Sequence, residues 1–140
     1  MTSPKQIVTQ LLTILKAATT LKSVKKWYTA EPPFSRAPGF PFGWVEWNGG
    51  PMEPPVTSGK QVIRDSFSIV CVCKSLDFEK AEEEALTLVE TVESVLDDYP
   101  TINALVSASW VSNREKQKLF EKNDYSIVAV RVTLSSWRRE

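Results

Sequence analysis

Cys71 and Cys73, and two carboxylate runs, Glu82-Glu83-Glu84 and Asp97-Asp98, are the side chains of this sequence whose types could do chemistry. Cysteines two apart on a strand point to one face, with β-carbons farther apart than the ~3.5–4.5 Å of a disulfide. A structural zinc site wants four nitrogen or sulfur ligands, and the chain has no histidine and no third cysteine. Buried thiols in a reducing cytosol remain as the reading of this pair. Adjacent carboxylates on a helix diverge by ~100°, so neither run converges on one cation. They read instead as solvated helix surface.

The absence of histidine also removes Ser–His and Cys–His pairs and histidine acid–base chemistry. Gly49-Gly50 lacks the following lysine–serine and the helix start of a phosphate loop. The expectation is a protein that is not an enzyme, with no catalytic residues, no metal and no cofactor. A carboxylate- and metal-dependent hydrolase is the weakest alternative.

The elements that must carry these side chains follow from pattern and composition. With 140 residues, 42% of them hydrophobic and 24% charged, the chain suits one globular domain spanning 1–140 rather than disorder. Ser3-Pro4-Lys5-Gln6 forms a capping box with proline in the first turn. Ile7, Val8, Leu11, Leu12, Ile14, Leu15 and Ala18 then recur at helical period. All five glycines and seven of the nine prolines fall between Pro32 and Gly59. That density predicts a loop-rich region over about 31–60, interrupted by a short strand over 42–47. Residues 61–74 read as a strand with both faces covered at its end. Asp77 caps a second helix to about Asp98, with Phe78, Ala81, Ala85, Leu88, Val92, Val95, Leu96 and Tyr99 on its apolar stripe. Residues 102–112 and 124–135 read as two more strands, and the polar stretch 113–118 between them as a turn or short helical piece. The fold class is therefore α+β. One mixed or antiparallel sheet of about four strands carries two main helices, in the order helix, two strands, helix, two strands.

Seventeen basic and seventeen acidic residues cancel, which argues against a dedicated nucleic-acid or membrane-surface binder. No apolar run reaches the ~18–20 residues of a membrane span, and the N-terminal residues carry no export signal. Lys22, Lys25, Lys26, Trp27 and Tyr28 mix basic and aromatic side chains as a single-strand stacking surface does, but a linker with a partly buried aromatic is the commoner explanation.

The charges are segregated. Five lysines and no acid precede Glu31, nine acids and one lysine lie between Asp77 and Asp98, and seven basic residues face four acids from Asn113 onward. On the second helix Glu79, Glu82, Glu83, Glu90, Glu93 and Asp97 share the stripe opposite the apolar one, with Leu86 among them. A solvated face explains such a stripe, and so does a head-to-tail contact between copies of the chain. In that second case Glu79, Glu82, Glu83, Leu86, Glu90 and Glu93 meet a neighbour's N-terminal lysines, or Arg114, Lys116, Lys118 and Lys122, or Arg138 and Arg139. A second candidate surface is a partner-binding loop built from Trp44, Trp47, Asn48, Pro51, Met52 and Lys60.

The pattern resembles the tail-terminator (tail-completion) proteins of tailed bacteriophages. The resemblance rests on the opening helix over 7–18, the segment Phe40-Pro41-Phe42-Gly43-Trp44-Val45-Glu46, and the strand over 67–73. The acidic amphipathic helix over 77–98 and the last strand over 125–134 complete it. It implies a structural virion protein of the tail or neck, assembled in the host cytoplasm. Its copies form a homo-oligomeric, usually hexameric, ring that caps the tail tube and docks the head–tail connector. The partners so implied are tail-tube and connector proteins, with no membrane and no sequence-specific nucleic acid. A head–tail connector or neck protein, and a small adaptor module using the Trp-rich segment 40–55, are the alternatives.

Overall fold

The computed structural model describes residues 2–32, 39–54, 61–121 and 125–140. Helix α1 spans Pro4–Ala17 and opens as its sequence predicts. The Ser3 backbone N–H donates to Gln6 Oε1 at 2.8 Å, and the Gln6 N–H donates to Ser3 Oγ at 3.3 Å. A single 3₁₀ turn, Thr19–Leu21, follows. The strands are β1 (Trp27–Tyr28), β2 (Phe42–Gly49), β3 (Val62–Ser75), β4 (Ala108–Glu121) and β5 (Ser126–Arg139), with helix α2 (Phe78–Asp97) between β3 and β4.

The architecture is α+β, as expected, with five strands in the order β1-β2-β3-β5-β4. β1 runs parallel to β2, and every other neighbouring pair is antiparallel. The fifth strand is the two-residue β1, too short to leave an alternating pattern in sequence. It lies close to β2 because Gly43 has no side chain: a β-carbon there would sit 2.6 Å from the Trp27 ring and 2.7 Å from the Val70 carbonyl.

Both helices pack on one face of the sheet. Ile7, Leu11 and Leu15 of α1 and Ala81, Ala85, Leu88 and Val92 of α2 meet Val45, Phe67, Ile69, Cys71, Cys73, Val128, Val130, Val132 and Leu134 in one core. Burying a side chain of valine or leucine size stabilises by roughly 1.5–3 kcal/mol, and this helix-covered face holds most of the core. The opposite face holds a smaller cluster of Phe42, Trp44, Val70, Val72 and Ala129, with Tyr28, Phe40 and Ile127 against it. Residues 70–73 are thus covered on both sides, as their unbroken apolar run predicted.

The second strand pair differs from the sequence-based expectation. Residues 113–118 are neither turn nor helix but lie within β4, which continues to Glu121. β4 is an edge strand, so it tolerates charge on both sides. Its alternation sends Arg114 and Lys116 toward α2, while Glu115 lies opposite Arg131 on the other face. Residues 102–107, expected to begin a strand, are turns and bends. There Ile102, Asn103 and Ala104 all take positive φ (49°, 53° and 69°), and the Ile102 side chain is driven into the core at 1% exposure. A left-handed β-branched residue is costly, and burial of the isoleucine offsets that cost.

Candidate functional site

The outer surface of α2 begins at its cap. Asp77 Oδ1 accepts the Lys80 backbone N–H at 2.8 Å, which sets the helix phase that turns Ala81, Ala85, Leu88, Val89, Val92, Val95 and Leu96 inward. Phe78 is only partly buried, and Tyr99 lies beyond the helix and is exposed. Glu79, Glu83 and Glu90 are exposed on the outer surface, and Leu86 stands among them with half its surface in solvent. Asp97 continues the row at the last turn. None of these four acids has an ion pair with a described residue.

Glu82 and Glu93 behave differently. Each closes an ion pair inside the chain, Glu82 with Lys116, and Glu93 with Arg114 at 3.2 Å. Two acids and two bases expected to face a neighbour are therefore already matched across the α2–β4 seam. The pairing of β4 with β5 is what brings them together, and sequence spacing could not show it. Exposed pairs of this kind contribute ~0–1 kcal/mol each.

Arg138 is a correction of another kind. Expected on an interface, it is 6% exposed, and its guanidinium bonds Asp65, itself 5% exposed. Asp65 Oδ1 also accepts the Trp47 indole N–H at 2.9 Å, and Arg138 Nε donates to Glu140 Oε1 at 3.2 Å. The Thr2 backbone N–H donates to the same Glu140 oxygen at 2.8 Å. This network clamps β2, β3, β5 and the first residues of the chain at one end of the sheet, and Arg138 has no free face for a neighbour. Arg139 next to it is exposed. Lys118 lies in β4 opposite Val128, with its side chain outside the described residues, as is all of Lys122.

The Trp-rich segment does not act as one loop. Trp44 and Trp47 are three apart on a strand and so point to opposite faces. Trp44 is buried and stacks on Phe42 with ring centroids 6.2 Å apart, which removes it from the expected binding loop. Its indole N–H has no hydrogen-bond partner among the described residues. Trp47 is half exposed, and Asn48 donates to Ser68 Oγ at 2.8 Å. Pro51 is exposed and Met52, bridged to Ile63, is 60% exposed. Lys60 lies outside the described residues.

On one surface several cations gather without an ion pair among the described residues. Lys16, Lys22, Lys25 and Lys26 line a concavity of about 420 Å³ with Leu21, Val24 and Trp27. On the helix-free face a groove of about 430 Å³ passes Glu31, Trp44, Glu115, Gln117 and Arg131, where Arg131 pairs with Glu46 at 3.4 Å.

The cysteines are buried side by side on the helix-covered face, unbonded. Burial pushes the Cys71 thiol up to about 12. Cys73 is raised further, by burial first and then by the nearby charges of Glu84 and Cys71. Glu84 is itself raised by burial. Thiols held protonated are poor nucleophiles. Among the described residues, no three His, Cys, Asp or Glu side chains are grouped to hold a metal ion.

No protein-family profile matches the chain, and no curated protein matches it in sequence. Among solved structures, the chain is similar to one in the virion of a native gene transfer agent particle. The two superpose with a TM-score of 0.53 over 93% of this chain and 92% of that one, at 11% sequence identity. At that identity the likeness is one of fold: the α+β arrangement of this chain is shared, nearly end to end, with a chain of a virion particle.

Proposed function

We propose that this chain is a structural subunit of a phage-type virion. In this reading it is a tail-terminator-like protein whose copies close into a ring on the end of the tail tube and present a docking surface to the head–tail connector. The observation that carries the reading is the nearly full-length likeness to a chain of a virion particle. The surface supports it: the exposed row Glu79, Glu83, Leu86 and Glu90 on α2 has no ion pair among the described residues and suits a subunit contact. A connector or neck role uses the same kind of ring and differs only in what the ring caps. The half-exposed Trp47 and the exposed Met52 favour the end of the sheet as the surface that meets another virion protein.

The test is to size the purified chain alone and with assembled tail-tube protein, by sedimentation and electron microscopy. The expected outcome is a hexameric ring on tube ends that stops further tube growth. A chain that stays monomeric with and without tubes, and leaves their length unchanged, overturns the reading.

A further inference from the structure

We infer that the acidic row of α2 seats in the lysine-rimmed concavity of a second copy of the same chain. This rests on the ring-subunit reading and says which two surfaces meet. The row is what remains of the acidic stripe after Glu82 and Glu93 are matched internally. Glu79, Glu83, Glu90 and Asp97 extend along about 27 Å of helix, with Leu86 at the centre as an exposed apolar knob. Helix stability accounts for Glu79, in the first turn, but not for the far end of the row. Asp97 stands in a last turn that holds no basic residue, where the helix dipole disfavours a carboxylate.

The basic partner is chosen by clustering: Lys5, Lys80 and Arg139 are exposed but stand apart from the lysine cluster, and most other described cations are already held. Arg114 and Lys116 are held by α2 of their own chain, and Arg138 is buried on Asp65. Arg64 pairs with Glu53 at 3.1 Å and Arg131 with Glu46 at 3.4 Å. Lys74 lies over the Phe40 and Tyr125 rings. Among the described residues, Lys16, Lys22, Lys25 and Lys26 are the cations that gather around one concavity; none of them has an ion pair there, and Lys26 lies 4.9 Å over the Tyr28 ring. Leu21, Val24 and Trp27 form the floor of that concavity, each exposing only a small apolar edge (2%, 8% and 6%). An apolar knob ringed by acids thus faces an apolar hollow rimmed by lysines.

The two surfaces also suit a ring. The concavity adjoins β1, at the opposite edge of the sheet from β4. Helix α2 packs mainly on β3 and β5 and touches the 3₁₀ turn that supplies Leu21 to the concavity, yet the two surfaces share no residue. Contact between two different surfaces is heterologous, and repeated it closes a ring when the rotation allows. Single-stranded nucleic acid fits the concavity less well. Trp27 is 6% exposed and Tyr28 is packed edge-on against Phe42, so neither ring is free to stack on a base.

The test reverses each surface separately and then both together. Lys22→Glu/Lys25→Glu/Lys26→Glu and, separately, Glu79→Lys/Glu83→Lys/Glu90→Lys should each lose ring formation on tail tubes, because like charges then face each other. All six changes in one chain should restore the ring, since the complementarity is inverted rather than removed. Lysine-reversed chains that ring as wild type does overturn this inference and leave the ring reading standing. A wild type that forms no ring overturns both. A dT homopolymer bound by wild type and released by the lysine variant, with rings intact in both, also overturns it and assigns the concavity to nucleic acid. Because a reversal could unfold the chain, Leu86→Cys/Lys25→Cys supplies an independent measurement. Oxidation should yield disulfide-linked ladders through those positions, with the buried Cys71 and Cys73 taking no part, and an absence of ladders from assembled rings overturns the contact.

Discussion

Two carboxylates enter the interior of this protein on opposite terms. Asp65 is buried with a guanidinium and an indole N–H bonded to it, at the end of the sheet where β2, β3 and β5 meet. Glu84 is partly buried on α2 near the Cys73 thiol, with no cation bonded to it among the described residues, and its pKa is raised by burial. The difference teaches how charge is used here. Burying an ion costs several kcal/mol unless a partner and hydrogen bonds offset it. The Asp65 network meets that condition and ties distant strands together, whereas Glu84 keeps a proton longer than an ordinary carboxylate. The surface pairs Glu82–Lys116 and Glu93–Arg114 form a third case, in which water screens the charges and little energy is at stake.

The largest expected effect comes from breaking the buried network. Arg138→Met strands Asp65 and should destabilise the chain by ~3–5 kcal/mol, measured by chemical denaturation. Asp65→Leu together with Arg138→Met should recover most of that loss, because the charge and its counter-ion leave together. A double variant as unstable as the single one would show that geometry, not charge, governs this corner.

Next in size is alkaline titration of the thiols. The Cys71 pKa is raised from 9.0 to about 12 by burial, so the unfolded chain releases its proton first as pH rises. Stability from this group is complete below about pH 9 and is lost progressively toward pH 12. Cys71→Val should flatten that part of the profile, and both native thiols should be unreactive toward a disulfide reagent at neutral pH.

Glu84 gives a smaller effect of the same sign at lower pH. Its raised pKa means the folded chain holds a proton that the unfolded chain releases. Stability is therefore full below the ordinary carboxylate range and falls as pH rises through the folded value. Glu84→Gln should raise the melting temperature at neutral pH, and its advantage should vanish in acid. The smallest effect belongs to the α2–β4 seam. Lys116→Gln should cost ~0–1 kcal/mol, and added salt should shrink even that difference.

Sequence by itself determined the elements whose causes are local. The capping box at Ser3, the Asp77 cap, and the apolar stripe from Ala81 to Leu96 all act within a few residues, and period and cap chemistry read them directly. The two-sided burial of residues 70–73 was legible for the same reason, since an apolar run has no polar face to turn outward. Even the opposed directions of Trp44 and Trp47 follow from strand alternation over three positions. Tertiary structure alone decided what depends on strand pairing. It alone brought Arg138 onto Asp65, 73 residues away in sequence. It alone set Arg114 and Lys116 against Glu93 and Glu82, and made a strand of a charged stretch that lacks any apolar face. A carboxylate and a cation carry no mark of which partner they will meet. Register in the sheet chooses it, and so it chooses which charges remain free for another molecule.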